Sequence, residues 1–207
     1  MDHINHSGLF YWNSLPAISH FFCRYTKIVI KANTDFSIEG DNQQNVYFLV
    51  KGVAGLSYKN KHGTKTFIIL AENSLIKDII LLCAYGDIEL MSAYRAFQVV
   101  GHSYTDLEIW TMPYEDFSYL LDHDEQFFLE VSQCIYQKTD QLIHQLSILR
   151  FSNAETKIKG YIGDLEKLKQ IERSMIPKKL LAQKKIAELL AIHRVTVAKT
   201  IKKLRNT

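Results

Sequence analysis

Cysteine is scarce in this 207-residue sequence, and its three residues are widely spaced. Cys23, Cys83 and Cys134 are an odd number and lack the Cys-x-x-Cys spacing of zinc or iron–sulfur ligands. They indicate reduced thiols rather than a disulfide framework, so we expect a cytoplasmic protein. No run of about 18 apolar residues occurs, so we expect no membrane-spanning helix. The first residues, "MDHINHSGLFYWNSLP", lack the basic start and apolar stretch of a signal peptide, and we expect none.

The sequence also lacks the short motifs of common enzyme classes. There is no Gly-x-Ser-x-Gly, no His-Glu-x-x-His and no glycine-rich loop that could hold a phosphate. Neighbouring acidic residues such as Asp122 and Asp124 are interpreted as charge at helix starts or on the surface. We therefore expect no enzymatic activity and no cofactor.

Histidine offers only weak candidates for a metal or haem site. His102 stands alone, and a single histidine in that setting is usually structural. His3 and His6 could bind a metal together with His20, but we interpret them as part of a frayed N-terminus. The sequence therefore predicts no metal and no haem.

Acidic residues become rare toward the C-terminus. Residues 1–150 contain 11 Lys or Arg and 17 Asp or Glu, a net charge of −6. Residues 151–207 contain 14 and 5, a net charge of +9, and from Lys178 onward only Glu188 is acidic. A basic end on an acidic body favours a polyanionic partner such as nucleic acid, with a solubilising basic tail as the alternative.

Short β-rich segments fill much of the first half of the chain, after a short helix predicted at 14–22. Val, Ile, Tyr and Phe dominate the segments, while Asn, Gly and Asp dominate the breaks between them. "KNKHGTK" fits a hairpin turn, and two further strands are predicted near Tyr94–Val100 and Ser103–Met112. This pattern predicts an α+β protein in which residues 1–123 form a β-barrel or β-roll.

One long helix is predicted over residues 124–151, where neither Gly nor Pro occurs. A set of residues recurs there at spacings of four and three, as in a heptad seam: Ile135, Thr139, Leu142, Leu146 and Leu149. We predict that this seam pairs in parallel with a second copy of the chain. The alternative is a helix that packs only on its own domain.

Residues 152–207 have the pattern of a helical DNA-binding domain. In "AQKKIAELLAIHRVTVAKTIKKLR" two short amphipathic helices are separated by a break of three residues, which is the helix-turn-helix pattern. The exposed face of the second helix is predicted to contact DNA through Arg194, Val195, Thr196, Lys199 and Lys202. Arg194 could bind guanine, while Thr196 and the lysines could contact phosphates. An amphipathic helix pair with a solvated basic face is the alternative.

Three segments, in this order, resemble the bacterial Crp–Fnr family of transcription regulators. "FSIEGDNQQNVYFLVKGVAGLSYKNKHGTKTFIILAENSLI" is similar to the family's β-roll signature, and the long helix resembles its dimerisation helix. "IAELLAIHRVTVAKTIKKL" resembles its helix-turn-helix. The resemblance implies a cyclic-nucleotide-binding-like jelly roll and a homodimeric transcription regulator. It also implies a recognition helix in the major groove of a near-palindromic double-stranded DNA site, with RNA polymerase as a candidate partner.

The sequence departs from the members of this family that bind cyclic nucleotides. Lys77-Asp78-Ile79 stands where those members resemble one another in Gly-Glu-[Leu/Ile]. Phe97-Gln98 stands near the position of their Arg-[Ser/Thr], and Arg95 is the nearest basic residue. We therefore expect an effector other than a cyclic nucleotide, or none, and the sequence does not indicate which residues would bind one.

The predicted helix-turn-helix departs from the family as well. Val195 stands where an acidic residue is frequent, so we expect a different base preference at that step. His193 and Ala182 stand where Ser and Thr often cap the two helices, which predicts weaker caps. The sequence ends at Thr207, where the family continues into a β-hairpin wing, so we expect either a protein without a wing or a clipped sequence. These departures leave a second hypothesis, a ligand-binding or protein-interaction module with a decayed DNA-binding domain.

Overall fold

A computed structural model describes residues 6–11, 14–37, 45–60, 63–76, 98–172 and 176–205. Nine strands and seven helices occur in these residues, which confirms the α+β class. The cassette positions Lys77-Asp78-Ile79, Arg95 and Phe97 lie outside the described residues, as do Cys83 and His3.

The strands form two sheets. Sheet A has the order β1-β6-β5-β8-β3, and sheet B has the order β2-β9-β4-β7. Only β1 and β6 pair in parallel among the described strands, and the other neighbours are antiparallel. The bounds are β1 Phe10–Tyr11, β2 Thr26–Ile30, β3 Asp35–Ser37, β4 Asn45–Lys51, β5 Ala54–Asn60, β6 Gly63–Leu70, β7 Ser74–Ile76, β8 Gln98–Ser103 and β9 Leu107–Pro113.

The predicted hairpin at "KNKHGTK" is confirmed by the pairing of β5 with β6. The register places Asn60 opposite Gly63, so two residues connect the strands. Gly63 has a φ of +120°, a backbone conformation that favours glycine. The strand predicted near Ser103–Met112 is seen as β9. Of the strand predicted near Tyr94–Val100, residues 94–97 lie outside the described residues, and the remainder belongs to β8.

The helices follow the sequence pattern closely. Their bounds are α1 Pro16–Phe22, α2 Tyr114–His123, α3 Glu125–Phe151, α4 Ala154–Glu172, α5 Lys178–Leu181, α6 Gln183–Leu189 and α7 Arg194–Arg205. The side chain of Asp124 caps α3 by accepting a hydrogen bond from the backbone N–H of Phe127, at 2.8 Å. Asn153 caps α4 in the same way, through the N–H of Thr156 at 2.9 Å. None of the described helices is both long enough and apolar enough to cross a bilayer.

The first hydrophobic core lies between the two sheets and is covered by α1, α2 and the first half of α3. Phe48 of sheet B and Leu70 of sheet A are fully buried in it, as are Phe117 of α2 and Phe127 of α3. Glu130 of α3 is also buried, and its two carboxylate oxygens accept hydrogen bonds from the first-turn N–H groups of α1, at 3.0 Å each. This contact fixes α1 against α3 because a carboxylate is stabilised at a helix N-terminus.

The second core joins the C-terminal helices to the edge of sheet A. Tyr161, Leu165 and Leu168 of α4 are buried in it together with Phe10 of β1 and Tyr104, the residue that follows β8. Residues 7–11 are therefore part of the fold. Our expectation of a frayed N-terminus around His6 is wrong for residues 6–11, because Ser7 is buried and β1 pairs with β6.

Candidate nucleic-acid interface

Helices α6 and α7 form the helix pair that the sequence predicted. The connection runs from Leu190 to His193, one residue longer than the predicted break of three. Ala191 lies within it at a φ of +50°, in the left-handed region. The N–H of Ile192 bonds to the carbonyl of Ala187 at 3.0 Å, which closes the turn. A non-glycine residue in this conformation costs about 1–2 kcal/mol, so the turn is held by its surroundings.

The apolar sides of both helices are buried in the second core, to which α4 also contributes. Ile186 and Leu189 of α6 and Val197 of α7 are almost inaccessible to solvent, and Ile201 and Leu204 pack against the same core. Burial of a side chain of this size contributes roughly 1.5–3 kcal/mol each, which fixes the orientation of α7. The face of α7 on the other side is therefore turned to solvent.

That outward face carries the residues that the sequence predicted as DNA contacts. Arg194, Lys199 and Lys202 are exposed, Val195 is 52% exposed and Thr196 is half-buried. Val195, Lys199 and Lys202 follow one another at spacings of four and three and so lie along one side of the helix. Within the described part of the chain, Arg194, Lys199 and Lys202 form no ion pair.

The remaining lysine of this helix is turned toward α4. Lys203 forms an ion pair of 2.8 Å with Glu155, which Lys159 also contacts at 3.0 Å. Hydrogen bonds from Lys203 and Lys159 lower the pKa of Glu155 to about 2. Lys203 therefore connects α7 to α4, whereas Lys199 and Lys202 remain available to an outside partner.

The caps of this helix pair are weak, as the sequence predicted. Ala182 precedes α6 and provides no side-chain hydrogen bond. Before α7, the ring nitrogen Nδ1 of His193 accepts from the N–H of Val195 at a long 3.4 Å. The His193 carbonyl accepts from Thr196 and Val197 at 2.9 and 3.1 Å, so the backbone provides most of the helix start.

The predicted dimer seam on α3 is only partly exposed. Ile135 packs against the first core, and Leu142 and Leu149 are half-buried. Thr139 is exposed and Leu146 is 66% exposed. The seam residues thus lie partly toward their own chain, and their pairing with a second copy stays a prediction.

A second apolar stripe on α3 faces solvent more fully. Leu129, Tyr136 and Ile143 are spaced by seven residues and are 51%, 71% and 62% exposed. Tyr136 and Ile143 are each one residue beyond Ile135 and Leu142 of the predicted seam, which is a rotation of about 100° around the helix. We name Leu129, Tyr136, Ile143 and Leu146 the α3 stripe.

The sequence did not single out the contacts that α5 and α6 make with sheet A. The ammonium of Lys185 donates to the hydroxyl of Thr66 at 2.8 Å, and Lys179 contacts Nε2 of His102 at 3.2 Å. His102 also contacts Asp35 through Nδ1, at 2.5 Å. No spacing rule predicts the contacts of the two lysines, because the paired residues are 77 and 119 positions apart.

The chain matches no protein-family model and no curated protein. Its fold is shared with solved structures, among them OCPA-complexed CprK, with 14% identity, a TM-score of 0.64, and coverage of 96% of this chain and 88% of that one. The c-di-GMP-responsive global regulator CLP of Xanthomonas campestris is 14% identical, with a TM-score of 0.60 and coverage of 93% and 92%. TTHA1359 of Thermus thermophilus, a transcriptional regulator of the CRP/FNR family, is 13% identical, with a TM-score of 0.62 and coverage of 87% and 86%. These likenesses show a common fold over most of the chain.

Proposed function

We propose that this protein is a sequence-specific DNA-binding transcription regulator of the Crp–Fnr type, in which α6 and α7 are the helix-turn-helix. The observation that carries the proposal is the outward face of α7, where Arg194, Lys199 and Lys202 are exposed and form no ion pair among the described residues. A protein that binds a polyanion needs such cations to neutralise phosphates. Solved structures of the same fold that are described as regulators support this function.

The first turn of α7 has the chemistry of base recognition. Arg194 begins the helix, and its guanidinium can donate two hydrogen bonds to guanine in the major groove. Val195 follows it and can contact only an apolar group such as the thymine methyl. Thr196, Lys199 and Lys202 would then contact the phosphates that position the helix.

The protein acts as a homodimer in this proposal, and the α3 stripe is the surface that pairs with a second copy. A helix of 27 residues with apolar residues exposed at intervals of seven is suited to a parallel two-stranded coiled coil. Two copies related by twofold symmetry would present two α7 helices to a near-palindromic site. The β-domain, formed by sheets A and B with α1, would sense an effector other than a cyclic nucleotide or serve as a scaffold.

The experiment that tests the function is site selection from a random-core duplex DNA pool at two salt concentrations. Wild-type protein should enrich a twofold site whose half-sites lie about one helical turn apart. Arg194→Ala should lose the preference at one base pair of each half-site. Arg24→Ala, an exposed arginine beyond α1 and far from α7 in the sequence, serves as the matched control and should select the wild-type site.

Weak binding that is equal for all three proteins and seen only at low salt would contradict the proposal. The chain would then fit the second hypothesis, an interaction module whose DNA-binding domain has decayed. The weak caps at Ala182 and His193 are the feature that this second hypothesis would explain.

A further inference from the structure

Residues 6–11 lie between sheet A, α3 and α4, and we name them the N-terminal strap. Their main chain extends sheet A, because the N–H groups of Ile69 and Ala71 donate to the carbonyls of Leu9 and Tyr11, at 2.7 and 2.8 Å. Neither the outward face of α7 nor the α3 stripe includes any of these residues. The proposed function therefore does not account for the strap.

Successive side chains of the strap are buried in two different cores. Phe10 belongs to the second core, where its ring centroid lies 5.6 Å from that of Tyr161 on α4. Tyr11 belongs to the first core, and its hydroxyl donates to Sγ of Cys134 on α3 at 3.0 Å. Because protein interiors are closely packed, a displacement of Tyr11 in the first core would also displace Phe10 in the second.

The strap is also held by a buried polar contact with α4. The N–H of Ser7 donates to the carboxylate of Asp164 at 2.6 Å, and the hydroxyl of Ser7 donates to the same oxygen. Both residues are buried. Hydrogen bonds to a charged acceptor are stronger than those between neutral groups, so this contact fixes the strap at one position along α4.

Two glycines allow the strap to approach both helices closely. Gly8 has a φ of +71°, and a Cβ at this position would lie 2.9 Å from the backbone nitrogen of Gln145 on α3. A Cβ at Gly160 of α4 would lie 3.0 Å from the carbonyl oxygen of His6. Glycine is unfavourable inside a helix, and the close approach of the strap gives a physical reason for one at position 160.

The strap holds α4, and α4 holds α7. Val197 of α7 is buried in the second core together with Leu165 of α4, and Lys203 of α7 forms an ion pair with Glu155 of α4. The two lysine contacts that α5 and α6 make with sheet A are single hydrogen bonds. Burial of large apolar side chains such as those of the strap contributes more free energy than such bonds. The position of α7 relative to α3 therefore depends on the strap.

We propose that the N-terminal strap is a conformational lock, which couples helices α4 to α7 to the β-domain and to α3 and so sets the orientation of the outward face of α7. Release of the strap would leave these helices free to move relative to α3. Two α7 helices that must fit a twofold DNA site at a fixed separation would then lose more conformational entropy on binding. The effect on DNA rests on the proposed function, whereas the coupling within the chain does not.

The coupling is measured by NMR on the full chain. Amide hydrogen exchange at Ile69 and Ala71 reports whether the strap is docked, because both amides donate to strap carbonyls. Gly8→Ala adds a methyl group that collides with α3, so exchange at these two amides should become about tenfold faster. Backbone ¹⁵N relaxation should then give α4, α6 and α7 a shorter rotational correlation time than sheet B, whereas wild type should show one common value.

Two further variants separate release of the strap from other effects. Gly63→Ala is the matched control, because Gly63 also has a positive φ, of +120°, but a Cβ there would meet no atom within 4 Å. It should keep the wild-type exchange at Ile69 and Ala71 and the wild-type relaxation. Gly160→Ala pushes on the strap from the side of α4 while it raises the helix propensity of α4. It should produce the changes of Gly8→Ala in smaller measure, without unfolding of α4.

The consequence for DNA is measured by fluorescence anisotropy on the site that wild type selects. Gly8→Ala should bind this site about tenfold more weakly with the same base preference, and Gly63→Ala should bind as wild type does.

The proposal is overturned by wild-type exchange at Ile69 and Ala71 in Gly8→Ala, or by a common correlation time after the strap is released. Unchanged or tighter DNA binding by the released variant also overturns it, and the proposed function then stands. If wild type selects no DNA site but release of the strap frees α4 to α7, the proposed function alone is removed.

Discussion

The carboxylate of Asp164 on α4 is buried and accepts two hydrogen bonds from Ser7, a residue 157 positions earlier in the chain. The backbone N–H of Ser7 donates at 2.6 Å, and its hydroxyl donates to the same oxygen. Residues 6–11 are thereby fixed between sheet A and the C-terminal helices. Because this carboxylate is buried away from solvent, the free energy of unfolding must depend on pH.

Asp164→Asn should make the protein more stable at pH 7.5. Burial raises the pKa of Asp164 to about 6, from an ordinary value of 3.8. The folded state therefore binds the extra proton between about pH 4 and 6, and stability falls as pH rises through that window. Above pH 6 the buried charge costs up to about 3 kcal/mol, at about 1.4 kcal/mol for each pKa unit.

Asparagine keeps an acceptor for Ser7 but carries no charge. The gain in free energy of unfolding over wild type should therefore develop between about pH 4 and 6 and stay constant above pH 6. Urea unfolding at a series of pH values measures it. Glu166→Gln, an exposed neighbour on α4, is the control and should follow the wild-type curve. An Asp164→Asn curve parallel to that of wild type across this window would show that the carboxyl does not titrate there.

Replacement of both Lys199 and Lys202 by Met should weaken DNA binding at every sequence alike. Each phosphate contact contributes about 0.9 to the slope of log K against log salt concentration. The double variant should therefore lower that slope by about 2 while keeping the preferred site, and fluorescence anisotropy at several salt concentrations measures this. Lys59→Met with Lys65→Met removes two exposed charges from the β5–β6 hairpin and should leave the slope unchanged. Equal slopes for the two double variants would place the phosphate contacts elsewhere.

Ile143→Glu should separate the proposed dimer. The substitution puts a charge in the middle of the α3 stripe, where Ile143 is 62% exposed in the single chain. In a coiled coil the two glutamates would face each other, so the apolar contact between the helices would be lost and the two charges would repel. Sedimentation velocity should then show a species near 24.0 kDa. Tyr119→Glu, on an exposed position of α2, should leave the wild-type assembly intact. Dissociation by Ile135→Glu but not by Ile143→Glu would instead support the seam predicted from the sequence.

Ala191→Gly should stabilise the protein by about 1 kcal/mol. Ala191 has a φ of +50°, which glycine adopts without the clash that an alanine Cβ suffers. Ala198→Gly is the matched control, because the same change inside α7 should destabilise by about 1 kcal/mol. Urea unfolding of the two variants at one pH measures both. A loss of stability in both would show that the turn does not strain Ala191.

Local patterns were sufficient to predict most of the secondary structure. The helix start after Asp124, the hairpin at Gly63 and the two C-terminal helices depend on residues that are close in sequence. Capping, turn geometry and amphipathic spacing act over a few residues, so they can be recognised in the sequence without knowledge of the tertiary structure. The outward face of α7 was predictable for the same reason, since the apolar stripe of a helix determines which side remains exposed.

The α3 stripe shows where local pattern was insufficient. Ile135 and Tyr136 both fit a heptad, and the sequence favoured Ile135. In the fold Ile135 contacts the core beneath α3, and Tyr136 is left 71% exposed. Which of two adjacent apolar rows faces solvent depends on how the helix lies on the β-domain, and that packing involves residues far away in the chain.

By itself the sequence determined the α+β class, the order of the elements, the long helix and the basic face of α7. Each of these follows from short-range propensities and from composition. Only the tertiary structure decided that residues 7–11 are buried, that Asp164 contacts Ser7, and that Tyr104, Lys179 and Lys185 line one cleft. The physical reason is that these contacts join residues separated by 77 to 157 positions, and no periodicity or turn signal encodes such pairs.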